Sequence, residues 1–432
     1  MDNARSIWQK TAELPEFPTL AGDISTDVLV IGGGMAGLLT AYRLQQRGID
    51  VVVAEKDRLC TGTTAHTTAK VTAQHGLCYQ KLLQGLGETS ARMYYEANAG
   101  AVQQLKALCR QADCPMEEKD NFVYSADPHR IEGELTALQR LGIPAKHALS
   151  PPIPIRAEAV GFSGQAQIHP LKLARFLAEK LTVYEQTWVR SLDGTTAVTD
   201  TGRIHARRVV VATHFPFVNR RGSYFLKLYQ HRSYLLALEN APTLPGMYVD
   251  DSPTGMTFSS FGDHLLLGGG GHRTGKPGGG WAQLRDFQAA HYPDSREVCR
   301  WAAQDTMSLD AIPYIGHYSR NTPQLYVAAG FNKWGMTGSM VSAEVLSAML
   351  AGEEPEYAPL FSPSRSILKP QLVVNGFSSA ANLLTFRTPR CPHMGCALHY
   401  NRAEHSWDCP CHGSRFSESG RVLDNPANRN RQ

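Results

Sequence analysis

The chain has 432 residues, a formal net charge of +4 and an ordinary globular composition, which leaves room for two or three domains and a large core. So small a charge gives no argument for nucleic acid or an anionic membrane as partner, and no run approaches the ~18 apolar residues of a membrane span. The N-terminus, MDNARSIWQKTAELPEFP, lacks the basic and apolar regions of a signal peptide, and Cys60, Cys78, Cys109, Cys114 and Cys299 are too scattered for a secreted disulfide framework, so a cytoplasmic setting is expected.

Residues 1–24 read as an N-terminal extension. The stretch DVLVIGGGMAGLLTAYRLQQRGIDVVVAEKD (27–57) then predicts strand, helix and strand. Gly32-x-Gly34-x-x-Gly37 falls between the first strand and the helix. The first glycine permits a tight turn, the second a close pyrophosphate, the third close packing of helix on strand. The helix start offers N–H groups to phosphates. Glu55 ends the second strand, where a carboxylate accepts hydrogen bonds from a ribose diol. These elements in this order predict a dinucleotide site; a glycine-rich turn in another α/β fold is the alternative.

The fingerprint does not choose between FAD and NAD, but later segments favour FAD. ARRVVVATH (206–214) predicts a buried strand ending at Thr213 and His214. TWVRSL (187–192) reads as another strand. GFNKWGMTGSMVSAEVLSAMLAG (330–352) opens an apolar helix from a glycine-rich turn; that helix start suits negative charge on a reduced flavin. On the fingerprint, the ATH strand, TMSLDAIPYIG (306–316) and GFNKWGMTG (330–338), residues 25 to 355 resemble the D-amino-acid oxidase/glycine oxidase/sarcosine oxidase superfamily.

The resemblance implies an α/β (α+β) fold over 25–358. A Rossmann-like FAD-binding core (25–90, 186–216, 300–355) lies under an antiparallel-sheet substrate domain (91–185, 217–299). It also implies backbone contact with adenine at Val189, and flavin contacts at Thr63, Thr64, Thr213, Gly330, Gly335, Met336 and Thr337. Lys333 and Trp334 would flank the flavin. In Gly62-Thr63-Thr64-Ala65-His66 it raises the question of a covalent histidyl–flavin bond at His66; a loop histidine bonded to backbone is the plainer reading. LLLGGGGHRTGKPGGGW (265–281) reads as a strand running into a mobile glycine loop. Arg232 and Tyr234, on the predicted strand 230–238, stand where related enzymes hold a substrate carboxylate, although Arg232 reads equally as an ion-pair residue. His214 and His272 suit structural roles.

PLFSPSRSILKPQLVVNG (359–376) reads as a linker. CPHMGCALHYNRAEHSWDCPCHG (391–413) then concentrates four of the nine cysteines. Cys391-x-His393 and Cys409-x-x-His412 each join a thiolate to an imidazole, the donor set of a Rieske 2Fe–2S cluster, with one iron on two thiolates and the other on two imidazoles. Zinc is the rival, but zinc fingers use like pairs at other spacings. The match to CPHMGC…CPCHGS is to the Rieske family, which implies a Cys396–Cys411 disulfide between the cluster loops and a Ser414 hydroxyl donating to a sulfide. Phe416 replaces a tyrosine donor of high-potential members, so an intermediate or low value within about −150 to +300 mV is expected. The module, 377–432, is short of the usual base domain, so its small β structure must lean on the flavoprotein or a partner.

Together these readings imply a two-centre oxidoreductase. A small amine or amino acid would be oxidised at FAD, and electrons would leave singly through the cluster to a carrier such as a ferredoxin. A ferredoxin-fed reductase and a redox sensor or electron-transfer module are the alternatives.

Overall fold

A computed structural model describes residues 5–218, 221–252, 255–385 and 388–431. Short β-branched runs such as Val28–Val30, buried on both faces, form a largely parallel sheet. Its order is Tyr314–His317, Leu325–Ala329, Arg203–Val211, Ile24–Ile31, Val51–Ala54 and Thr182–Tyr184. Only Tyr314–His317 on this path runs antiparallel, and the hairpin Ser191–Asp193/Thr196–Val198 hangs on Arg203–Val211. Helices Met35–Gln46 and Gly335–Leu350 send buried Leu38, Leu39, Met340 and Val341 into one core on a face of this sheet. The expected strand at 187–192 starts late: 187–190 run without ladder partners, and the strand is Ser191–Asp193.

The second sheet has nine strands, ordered Arg296–Ser308, Leu228–Glu239, His264–Arg273, Thr257–Phe261, Gly246–Asp250, Met116–Ser125, Glu158–Ile168 and Lys70–Val71, with Lys146–Ala148 beside Glu158–Ile168. It is mixed, not antiparallel throughout, because Gly246–Asp250 pairs in parallel with Met116–Ser125. These neighbours come from separate stretches of chain, so no hairpin dictates their direction. Gly268–Gly271 lie within the strand His264–Arg273, and the loop after it packs against the C-terminal module. A Cβ at Gly275 would lie 2.6 Å from the Pro410 nitrogen.

The C-terminal sheet is four-stranded and antiparallel: His399–Asn401, Ser406–Asp408, Arg415–Ser417 and Val422–Asp424. Its core is small, built from the four cysteines with Leu398, Phe416, Val422 and Ala427, and Trp188 of the first domain packs against it. A module this short completes its core on its neighbour. The stretch 359–376 is not a simple linker. It carries most of the helix Ala358–Phe361 and opens the helix Pro370–Leu384, with proline at the first turn. Between the helices Arg365 pairs with Asp310 at 2.7 Å and stacks 3.9 Å over Tyr314, and Lys227 donates to the Pro363 carbonyl. Helix Pro370–Leu384 turns Asn375 and Asn382 inward and leaves Val373, Val374, Phe377 and Leu384 exposed.

Candidate functional site

The glycine turn is built as its spacing requires. Gly32 has φ +112°, and a Cβ at Gly37 would lie 1.9 Å from the Gly32 carbonyl oxygen, so only glycine lets the helix sit this close. Gly34 is the N-cap of Met35–Gln46 and offers no side-chain cap; the Thr64 hydroxyl accepts from Met35 N at 3.0 Å, which leaves the other early N–H groups for an anion. Glu55 accepts from Gly33 N (2.7 Å) and Asp57 N (3.0 Å); burial raises its pKa and these two bonds oppose the rise.

A cavity of about 670 Å³ opens beside the turn, within the range of ligand pockets. Gly32, Gly34, Glu55, Thr63, Thr64 and His66 line it, with Val189, Thr213, Gly335 and Met336. Gly37 packs the helix on its strand, as its place in the spacing requires. Two expected contacts lie outside the cavity lining: Gly330 packs near Leu228 and Ser308, and the Thr337 hydroxyl donates to Thr72 O and meets His75 Nε2. Trp334 stacks on His75. His66 Nδ1 lies 2.8 Å from the Gly62 carbonyl; a carbonyl only accepts, so Nδ1 carries the proton and Nε2 the lone pair. Burial lowers the pKa of His66 and of His214. His214 lines the same cavity, and its buried Nε2 has no hydrogen-bond partner among the described residues. The glycine cradle, the helix start and the Glu55 carboxylate fit an adenine dinucleotide.

Arg232 and Tyr234 both have partners within the protein. Arg232 Nε donates to Glu404 Oε1 at 2.7 Å and Nη2 to Oε2, with the two side chains 7% and 10% exposed. Burial would raise the Glu404 pKa, but the Arg232 and Arg415 guanidinium groups hold it down to about 2. Arg415 bonds Glu404, Asp408 and Asp424 together. The Tyr234 hydroxyl meets His272 Nε2 (3.1 Å) and accepts from Asn401 (3.3 Å), and burial pushes its pKa up to about 12. Both residues therefore tie the second sheet to the C-terminal module, and the ion-pair reading of Arg232 holds. Of the two, only Arg232 also lines the cavity.

Among the charged groups missed in the sequence are Asp305, Glu404 and Asp424, which line the cavity with Lys333. Burial raises the Asp305 pKa and lowers that of Lys333, and each opposes the other's shift. Asp305 stands one residue before the TMSLDAIPYIG stretch, and nothing in its neighbours marked it.

Two tight turns carry the cysteine–histidine pairs: Gly395 N bonds Cys391 O and Gly413 N bonds Cys409 O, each at 2.9 Å. The sulfurs of Cys396, Cys409 and Cys411 lie within 4.8 Å of one another. Cys391 is in thiol contact with Cys409 and with the Ser414 hydroxyl, which together bring its pKa down to about 7 against burial. The His393 and His412 rings sit 5.0 Å apart, and burial lowers their pKa values to about 4 and about 3, leaving neutral imidazoles. His412 Nδ1 is buried with no hydrogen bond among the described residues. Two thiols and two neutral imidazoles converging in this way fit one iron on sulfur and one on nitrogen. The Cys396 and Cys411 sulfurs lie within 4.8 Å of each other, on the two loops that the expected disulfide would join.

The imidazole end of these loops faces the first domain. Phe215 meets both rings, at 6.4 and 6.2 Å, and Phe225 meets His412. Gln304 Nε2 donates to Gly413 O (2.9 Å), and Arg273 donates to Pro410 O and Cys411 O.

A family model described as FAD dependent oxidoreductase matches residues 27–349, and one described as Rieske [2Fe-2S] domain matches 371–432. The chain is an FAD-dependent oxidoreductase with a C-terminal Rieske domain. Its cofactors are FAD and a 2Fe–2S cluster. The chain is 34% identical to YhfW of Bacillus subtilis (strain 168), assigned as a Rieske 2Fe-2S iron-sulfur protein, over 98% of this chain and 96% of that one. It is 28% identical to gamma-glutamylputrescine oxidoreductase of Escherichia coli (strain K12), over 45% of this chain and 50% of the relative. Glycine oxidase from Geobacillus kaustophilus shares the fold, with a TM-score of 0.66 at 20% identity over 79% of this chain and 99% of that one. Among the described residues no helix is long and apolar enough to cross a membrane.

Proposed function

We propose that this oxidoreductase is a dehydrogenase of a small amine or amino acid, and that electrons leave it singly through the Rieske cluster to a one-electron carrier such as a ferredoxin. The observation that carries the reading is the docking of the two histidines on Phe215, just past the end of the strand Arg203–Val211 that borders the dinucleotide turn. The partial identity to gamma-glutamylputrescine oxidoreductase supports an amine-type substrate. When bound, FAD supplies a hydride acceptor for the C–H bond on the carbon that carries the amine, leaving an imine, and the cluster supplies one-electron transfer.

The chain's own residues do the rest. Glu55 and the turn at Gly32–Gly34 would hold the ribose and pyrophosphate, and Cys391, His393, Cys409 and His412 would hold the cluster. An ammonium must lose a proton before its C–N bond can be oxidised. Asp305, a cavity carboxylate with a raised pKa, is suited to accept it. The Arg232–Glu404 pair fixes the wall formed by the Rieske module and keeps water from that side.

Anaerobic mixing of the holoprotein with a panel of amines, amino acids and hydroxy acids tests the reading. Loss of the flavin absorbance near 450 nm with an amine or amino acid, and dye reduction in proportion, is the expected result. No bleaching by any amine or amino acid, with reoxidation of the dithionite-reduced protein by an imine or unsaturated acid, would reverse the direction of flow.

A further inference from the structure

We propose that residues 424–428 of the Rieske module form a strap that closes the FAD cavity and retains the cofactor. Asp424, Asn425, Pro426, Ala427 and Asn428 all line the cavity that the glycine turn and Glu55 open into. The strap is anchored at both ends by side-chain amides. Asn425 Nδ2 donates to the Thr213 and Phe215 carbonyls, just beyond the strand Arg203–Val211. Asn428 accepts from Trp188 Nε1 and donates to the Arg190 carbonyl (2.6 Å), beyond the strand Thr182–Tyr184. Between them Ala427 N donates to the Ser414 hydroxyl at 3.0 Å, joining the strap to a cluster loop.

The sheet order gives these anchors their meaning. Ile24–Ile31 and Val51–Ala54, which carry the glycine turn and Glu55, lie between Arg203–Val211 and Thr182–Tyr184. The strap therefore crosses the carboxyl ends of the strands that build the dinucleotide crevice, where open α/β sheets bind ligands. A module attached only to position its cluster has no need to span that crevice. A dinucleotide beneath the strap leaves only when the strap lifts. Bound FAD and the docked module then strengthen one another by the same factor. The inference rests on the family's cofactor, and it stands or falls separately from the substrate and the direction of electron flow.

The test is FAD release from holoprotein carrying Asn425→Ala and Asn428→Ala together. It is made in a His66→Ala background so that no covalent bond at that residue can hold the flavin. Free FAD is followed by its fluorescence after dilution, and visible circular dichroism reports whether the cluster is intact. The expected result is release at least tenfold faster than from His66→Ala alone, with the cluster signal kept. Release within twofold of the parent overturns the proposal. Should the double variant lose its cluster, hydrogen exchange at 424–428 in the unaltered strap decides instead, on His66→Ala protein with and without FAD. Slower exchange with FAD supports the strap, and equal exchange overturns it.

Discussion

Replacing Glu404 by glutamine removes one charge from the pair that joins the Rieske module to the second sheet. Glutamine keeps the shape and one acceptor but leaves Arg232 buried beside a neutral partner. The Glu404 pKa lies at about 2, against an ordinary value of 4.5. That gap corresponds to roughly 3 kcal/mol at 1.36 kcal/mol per pH unit, the lower end of the ~3–5 kcal/mol seen when a buried pair loses a partner. Because the folded value is depressed, the stabilisation is fully present above pH 4.5 and is lost as pH falls toward 2. Urea unfolding followed by tryptophan fluorescence, with Trp188 and Trp407 at the module's core, should show Glu404→Gln less stable than wild type by about 3 kcal/mol at pH 7. The two proteins should converge near pH 2. A difference below ~0.5 kcal/mol at pH 7, the size of an ordinary surface change, would refute the reasoning, as would one that does not change with pH.

Three further outcomes follow from the site. Asp305→Asn should lower kcat/KM for the substrate by about 10²–10⁴-fold while FAD stays bound, read by steady-state dye reduction; an unchanged value removes Asp305 from the proton path. Acid precipitation should release FAD into the supernatant, with His66 serving as a loop histidine bonded through Nδ1 to the Gly62 carbonyl; a yellow pellet that turns colourless in His66→Ala would show covalent attachment through Nε2. Thiol labelling of denatured, unreduced holoprotein should leave Cys396 and Cys411 unlabelled; labelling of both would show that no disulfide joins the cluster loops.

The legible parts of the sequence were those fixed by local chemistry. Glycine spacing, a carboxylate at a strand end and paired Cys/His motifs are short-range signals, and the turn at Gly32, Glu55 and the cluster loops have the expected local geometry. What escaped depends on contacts between distant segments. Arg232 stood on the strand where related enzymes hold a substrate carboxylate, and the sequence could not choose between that reading and an ion pair because its partner, Glu404, is 172 residues away. The packing of the loop after Gly268–Gly271 was hidden in the same way, since Pro410 of the C-terminal module fills the space that a side chain at Gly275 would need. Helix Pro370–Leu384 was missed because its buried face is Asn375 and Asn382 and its apolar face points outward, the reverse of the pattern that marks a helix on a core. Asn425 and Asn428 gave no signal, since their amides act only where the module meets the first domain.

The central claim is that flavin and cluster work in one molecule, with electrons passing between them across the docked face. Stopped-flow reduction of the holoprotein by its substrate, without oxygen and over a tenfold range of protein concentration, tests it most directly. The account predicts loss of flavin absorbance followed by loss of cluster absorbance, the second at a rate independent of protein concentration. A cluster rate that rises in proportion to protein concentration would contradict it.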